Sequence, residues 1–236
     1  LTPVASPMVA MARIVKQKYG EQVKTVFIGP CIAKKAESDE VDEGITFKEL
    51  REMLEVHNIK AEHNEPTPFD PPVAAKGAIF PLSRGLLQTA NTNDDICEGN
   101  ILVTEGKGNF SEAIKEFEQG LKESQHLELL CCEGCIMGPG MTSCGKKFER
   151  SIKVTEYVKD KLEREDTETW MRHVEEFKNL DYTQSFTPGD RRLPKPSEAE
   201  IDVILKKMGK FSEMDHLNCG ACGYATCIDH AMAIHE

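Results

Sequence analysis

The chain has 236 residues, 40 of them acidic and 29 basic, and its formal net charge of −11 makes nucleic acid or an anionic membrane surface a poor partner. Hydrophobic residues at 39% and charged residues at 29% are ordinary for a soluble globular protein, and no apolar run reaches the length of a membrane span. That length can bury a core without disulfides, as one large domain or a domain with a small appendage.

Apolar residues from Met8 to Val15 recur at helical spacing behind Ser6-Pro7, an N-cap followed by proline at the first helical position, so a helix is predicted over residues 6–19. Lys24 to Ile28 is short, rich in β-branched residues and closed by Gly29-Pro30, which predicts a buried parallel strand with Cys31 just past its carboxyl end. In open α/β sheets ligands collect at that edge. The acidic stretch from Glu37 to Glu43 is read as a solvated surface turn. Thr46, with Glu49 three residues on, is the capping box of a second helix reaching Val56.

Residues 64–72 hold four prolines and must be irregular. Ala78 to Phe80 reads as a brief strand, Ser83 to Ala90 as a turn into a short helix, Ile101 to Thr104 as a strand and Ser111 to Leu121 as an amphipathic helix. Leu127 to Leu130 is a further strand that runs into cysteines. One or two helices follow over residues 146–177, and residues 185–196, with three prolines and paired arginines, read as a linker. The last helix is capped by Ser197 with Glu200 and carries Ile201, Ile204, Leu205 and Met208 on one face.

Strands alternating with helices predict an α/β fold, a mostly parallel sheet with helices on both faces, over residues 1–184. Residues 197–236 are then a small helical module that is too short to stand without a staple such as a metal cluster.

The nine cysteines are bunched: Cys131, Cys132, Cys135 and Cys144 in one group, Cys219, Cys222 and Cys227 in another, with Cys31 and Cys97 apart. Bunching argues for metal in a reducing, cytoplasmic compartment rather than a disulfide framework, and Cys97 and Cys144 read as plain thiols. The segment Asn218-Cys219-Gly220-Ala221-Cys222-Gly223-Tyr224-Ala225-Thr226-Cys227 places glycines beside cysteines, as tight wrapping of a cluster requires. It resembles a small four-iron-four-sulfur domain of redox proteins, which implies Cys219, Cys222 and Cys227 as ligands. That family's fourth cysteine, a helix length downstream, has no counterpart before Glu236.

Two further motifs are Gly29-Pro30-Cys31-Ile32-Ala33-Lys34-Lys35-Ala36-Glu37 and Glu128-Leu129-Leu130-Cys131-Cys132-Glu133-Gly134-Cys135, the latter continued by Gly138-Pro139-Gly140. In that order they resemble the second and third signatures of the iron-only (FeFe) hydrogenases. The resemblance implies an H-cluster, a four-iron cubane joined through one cysteine sulfur to a two-iron unit. It implies Cys31 and Cys132 as cubane ligands, Cys135 as the bridging ligand, Lys34 as a donor toward the two-iron unit and Glu37 as its orienting partner. Cys131 stays open as the alternative to Cys132, since its distance from Cys135 fits the usual spacing.

The family's first signature, a TSCCP loop, is missing, Gly29 stands where a methionine is usual, and no Gln-Pro follows Gly140. With Leu1 at the start, the expectation is a fragment of a longer protein, inactive by itself. The CEGC form of the third signature, with an iron–sulfur module behind it, is similar to a subgroup held to sense hydrogen. The resemblance thus implies hydrogen and protons as substrates and electron-transfer or signalling domains as partners in the full-length protein. A non-catalytic iron–sulfur or zinc-stapled module is the alternative.

Overall fold

A computed structural model describes residues 3–92, 101–120, 126–142, 146–164, 167–187, 189 and 195–235. Cys97, Cys144 and, in the expected linker, residues 188 and 190–194 lie outside the described residues. The chain divides into two compact units, Leu1–Gln184 and Ser185–Glu236.

The first unit is α/β with parallel strands, as the alternation of elements predicts. Strand β1 (Val26–Gly29) pairs in parallel with β2 (Glu43–Thr46), and β3 (Ile101–Glu105) pairs in parallel with β4 (His126–Leu130). Parallel neighbours need a crossover. Between β3 and β4 it is helix α4 (Lys107–Glu118), and between β1 and β2 it includes a 3₁₀ helix over Ile32–Ala36.

Helix α1 (Pro7–Tyr19) starts where proline can stand at no hydrogen-bond cost, with Ser6 as its cap, and buries Met8, Val9 and Ala12. Ala5, Met8 and Val9 form a core cluster against Phe27 and Val41. Helices α5 (Lys147–Arg164) and α6 (Thr167–Phe177) follow β4, and α6 buries Phe177. The chain then returns to its start: Ala5 N–H donates to Tyr182 C=O at 2.8 Å, and Arg13 donates to the carbonyls of Asp181 and Thr183 at 2.8 and 3.0 Å.

Three local expectations are corrected. Ala78 to Phe80 is not a strand; Ala75–Ile79 is a 3₁₀ helix packed beside α5, where alanine and glycine suit a tight turn better than a strand. The acidic stretch is not merely solvated. Glu40 takes a paired hydrogen bond from Arg13 at 2.7 Å, Asp42 accepts from Lys24 at 2.8 Å and from Thr25 N–H at 2.9 Å, and Glu37 is paired as described below. Those pairs let the stretch run directly into β2, an element that its polar composition concealed. Helix α4 begins four residues before the predicted Ser111, with Gly106 as its N-cap.

Helix α2 (Phe47–Val56) has the predicted capping box, Glu49 N–H donating to Thr46 Oγ1 at 3.2 Å and Thr46 N–H to Glu49 Oε2 at 2.6 Å. Lys35 Nζ donates to Glu49 Oε1 at 2.5 Å. Lys35 first, then Thr46, hold the Glu49 carboxyl at about 2, below its ordinary 4.5. A depressed carboxyl pKa contributes stability that is complete above the ordinary value and disappears as pH falls through the folded one. Glu49→Gln is therefore expected to lower the melting temperature at pH 7, with the gap to wild type closing between pH 4.5 and about 2. An unchanged gap at pH 2 would refute that assignment.

The second unit consists of α7 (Glu198–Lys207), with the capping box of Ser197 and Glu200, and α8 (Cys227–His235). They pack through Leu205, 6% exposed, and Ala231, fully buried. That interface is too small to be the whole source of a module's stability.

Candidate functional site

Cys31 stands at the carboxyl end of β1, as the N-cap of the 3₁₀ helix Ile32–Ala36. Three residues per turn eclipse side chains at i and i+3, so Cys31, Lys34 and Glu37 fall on one face. Lys34 Nζ forms an ion pair with Glu37 Oε2, their side chains 25% and 29% exposed, and Ser6 Oγ donates to Glu37 Oε1. Ser6 also accepts from Val9 N–H at 3.5 Å. One hydroxyl thus caps α1 and holds the carboxylate that holds Lys34. Sequence reasoning found Ser6 only as a cap, because nothing in a cap motif signals a partner 31 residues away.

The second loop leaves β4 at Leu130. Its glutamate, Glu128, accepts from Arg84 N–H at 3.0 Å, which ties the strand to the turn before α3 (Gly85–Thr89). Cys131 and Cys132 are exposed, Cys135 is half-buried, and Ile136 is buried. Gly106 N–H donates to the carbonyls of Leu130 at 3.0 Å and Cys132 at 3.2 Å, so the end of β3 steadies the first half of the loop.

The turn at Gly138-Pro139-Gly140 joins this loop to the Cys31 loop. Gly140 N–H donates to Pro30 C=O at 2.9 Å, and Gly140 C=O accepts from Lys48 N–H at 3.2 Å, one of the N–H groups that the first turn of α2 leaves without an intrahelical acceptor. A Cβ at Gly138 would lie 2.4 Å from Pro30 O, and one at Gly140 would lie 2.6 Å from Thr46 Cγ2. Backbones this close admit only glycine.

The thiols are consequently in electrostatic reach of one another. Burial pushes the Cys135 thiol up, the neighbouring Cys132 and Cys31 push it further, and Lys34 pulls it down. Of the two adjacent cysteines, Cys132 is the one felt at Cys135. Three thiols beside one ammonium are a poor arrangement for three free thiolates and a good one for thiolates that share a cationic metal core. The donor set is soft, as an iron–sulfur core demands, so the residues fit such a group.

In the second unit Asn218, Gly220 and Gly223 have φ of 46°, 72° and 86°, and the tight turns they make bring Cys219 and Cys222 to the surface ahead of Cys227. Cys227 is the first residue of α8, and its N–H donates to Asn218 Oδ1 at 2.8 Å. Thr226 and Asp229 cap that helix reciprocally, at 3.0 and 3.1 Å. Tyr224 stacks on His230 with centroids 5.0 Å apart.

Among the described residues, no three His, Cys, Asp or Glu side chains converge closely enough for a single metal ion, and no helix is long and apolar enough to cross a membrane. Thiolates that each bind a different iron of a cluster stand farther apart than ligands of one ion.

The family model "Iron only hydrogenase large subunit, C-terminal domain" matches residues 1–139, and an Fe-S cluster family model matches residues 214–236. Among solved structures, the fold is similar to the FeFe-hydrogenase HydA(deltaEFG), described for stepwise H-cluster assembly, at 14% identity and a TM-score of 0.50, covering 76% of this chain and 65% of that one. It is similar also to a variant of FeFe-hydrogenase HydA1 from Chlamydomonas reinhardtii, at 15% identity and a TM-score of 0.53, again over 76% and 65%. The chain therefore spans about 65% of the length of these structures.

Proposed function

Because the chain belongs to the family of C-terminal domains of iron-only hydrogenase large subunits, we propose that its first unit holds an H-cluster and its second a four-iron-four-sulfur cluster. Cys31, Cys132 and Cys135 would hold the cluster of the first unit, and Cys219, Cys222 and Cys227 would be ligands in the second. When bound, the H-cluster supplies the interconversion of hydrogen with protons and electrons. The observation that supports the reading is the backbone contact of Gly140 with Pro30, which ties the loop after β4 to the loop that carries Cys31. Cys132 is preferred to Cys131 because Glu128 then stands four residues before the ligand, its usual distance in the third signature.

The protein's own groups do the rest. Lys34 holds an ammonium within electrostatic reach of Cys135, Glu37 fixes that ammonium by a charge-assisted hydrogen bond, and Ser6 fixes Glu37. Residues 1–184 form the hydrogenase-like domain, 185–196 the linker and 197–236 the iron–sulfur module. The CEGC arrangement over Cys132 to Cys135 supports a hydrogen-sensing role within that family, in a cytoplasmic protein whose electron-transfer or signalling domains are its partners.

Anaerobic reconstitution, followed by counts of iron and acid-labile sulfide and by electron paramagnetic resonance, tests this. About eight sulfides per chain support two clusters. A colourless protein with zinc and almost no sulfide refutes it, in favour of a zinc-stapled module. The capping role of Ser6 has its own test. Ser6→Ala is expected to cost about 1 kcal/mol by chemical denaturation, through loss of the α1 cap, with Ser6→Thr largely restoring it. Equal midpoints for Ser6→Ala and wild type would contradict the capping role.

A further inference from the structure

The loop with Cys132 and Cys135 is gripped from a direction that neither cysteine motif announces. Lys147, the first residue of α5, makes an ion pair with Glu133 Oε2 at 3.0 Å and another with Glu105 Oε1 at the end of β3. One turn on, Arg150 Nη1 donates to the carbonyl of Ile136 at 2.6 Å and reaches Met137 Sδ at 3.6 Å. With Gly106 N–H on the Cys132 carbonyl, the loop is fixed at Cys132, Glu133 and Ile136, so an anchor stands at or beside each thiol.

Lys147 is a partly shielded ammonium, its side chain 27% exposed, between carboxylates that are 28% and 64% exposed. A surface pair of this kind adds little stability by itself. What distinguishes this one is its place: Glu133 lies between the two cysteines and adjoins Cys132.

We infer that Lys147 and Arg150 form a cationic clamp that positions the Cys132–Cys135 loop, and that Lys147 tunes the reduction potential of a cluster held there. The inference rests on Cys132 and Cys135 being cluster ligands. Reduction adds negative charge to a thiolate-bound cluster, so a nearby cation favours the reduced form and an uncompensated carboxylate opposes it. Lys147 offsets Glu105 and Glu133; without it both carboxylates lose the ammonium they share. Both residues act through the loop and are positioning residues.

Two measurements on the full chain test the clamp. In the metal-free protein, hydrogen exchange across residues 132–137 is expected to quicken in Lys147→Met and to stay near wild type in Lys147→Arg, which keeps the charge. In the reconstituted protein, a redox titration followed by electron paramagnetic resonance is expected to show the first unit's cluster at a more negative potential in Lys147→Met. Lys147→Arg should restore that potential, and Glu133→Gln should move it in the positive direction.

A merely structural role would alter iron content or exchange without opposite shifts for Lys147→Met and Glu133→Gln. Wild-type potential in Lys147→Met at full iron content overturns the clamp's electrostatic role and leaves the ligand assignment standing. A wild-type chain that takes up no iron overturns the ligand assignment and the tuning with it.

Discussion

Gly138→Ala is expected to destabilise the first unit by about 3 kcal/mol and to abolish iron uptake there, leaving the second unit's cluster intact. The backbone of Gly138, at φ −57° and ψ 149°, is one that any residue adopts, so the cost is not conformational. It is collision. The new Cβ would meet Pro30 O at 2.4 Å, Pro30 C at 2.7 Å and Pro30 Cβ at 3.0 Å. Two of those atoms are backbone, and Pro30 cannot yield alone, because its carbonyl accepts from Gly140 at 2.9 Å and its neighbour Gly29 is paired in β1. Relief requires the two cysteine loops to separate, and separation parts Cys31 from Cys132 and Cys135. Gly108→Ala is the control: a Cβ there meets nothing within 4 Å, and the position is in α4, where alanine is favoured over glycine. Urea midpoints and iron content would decide; a Gly138→Ala chain with the wild-type midpoint and full iron would show that the contact of the loops is dispensable.

What could be read from the sequence follows from how far each feature reaches along the chain. The caps at Ser6, Thr46 and Ser197 are local devices, a side chain satisfying an N–H two or three residues away, and each stands where its motif places it. The strand before Cys31 and the strand before Cys131 were legible as short apolar runs, but the expected burial of the first does not hold: Val26 and Ile28 of β1 are exposed. Strand β2 was not. Glu43-Gly44-Ile45-Thr46 has no apolar run and owes its place to pairing with β1 and to the ion pairs that discharge the preceding acids. The same holds for Ala75–Ile79, whose conformation is set by what packs on it.

At the site, cysteine spacing carried the motif chemistry, since ligands must come in fixed intervals around a core. The support did not show. Ser6 on Glu37, Lys147 on Glu133, Arg150 on Ile136 and Gly140 on Pro30 are all contacts between segments whose intervals no motif fixes. Local sequence specifies which atoms could bind a cluster, and tertiary structure specifies which of them meet.

Cys135→Ala is expected to remove about four irons and four sulfides per chain while leaving the stability of the metal-free chain within about 1 kcal/mol of wild type. The small folding cost follows from burial: Cys135 is only half-buried, and the loop is held by Gly106, Lys147 and Arg150 through groups other than its sulfur. The large metal cost follows from its proposed place in one ligand set with Cys132 and Cys31, both within electrostatic reach of its thiol. A cluster deprived of one thiolate in such a set loses a strong soft donor that water cannot replace. Cys227→Ala is expected to remove the other cluster alone, because Cys227 belongs to the separate compact unit. The paired substitutions also decide between neighbours: Cys132→Ala should behave as Cys135→Ala does, whereas Cys131→Ala should keep its iron. If Cys131→Ala loses the cluster and Cys132→Ala retains it, the ligand is Cys131, and the electrostatic coupling of Cys132 with Cys135 is a consequence of proximity without coordination.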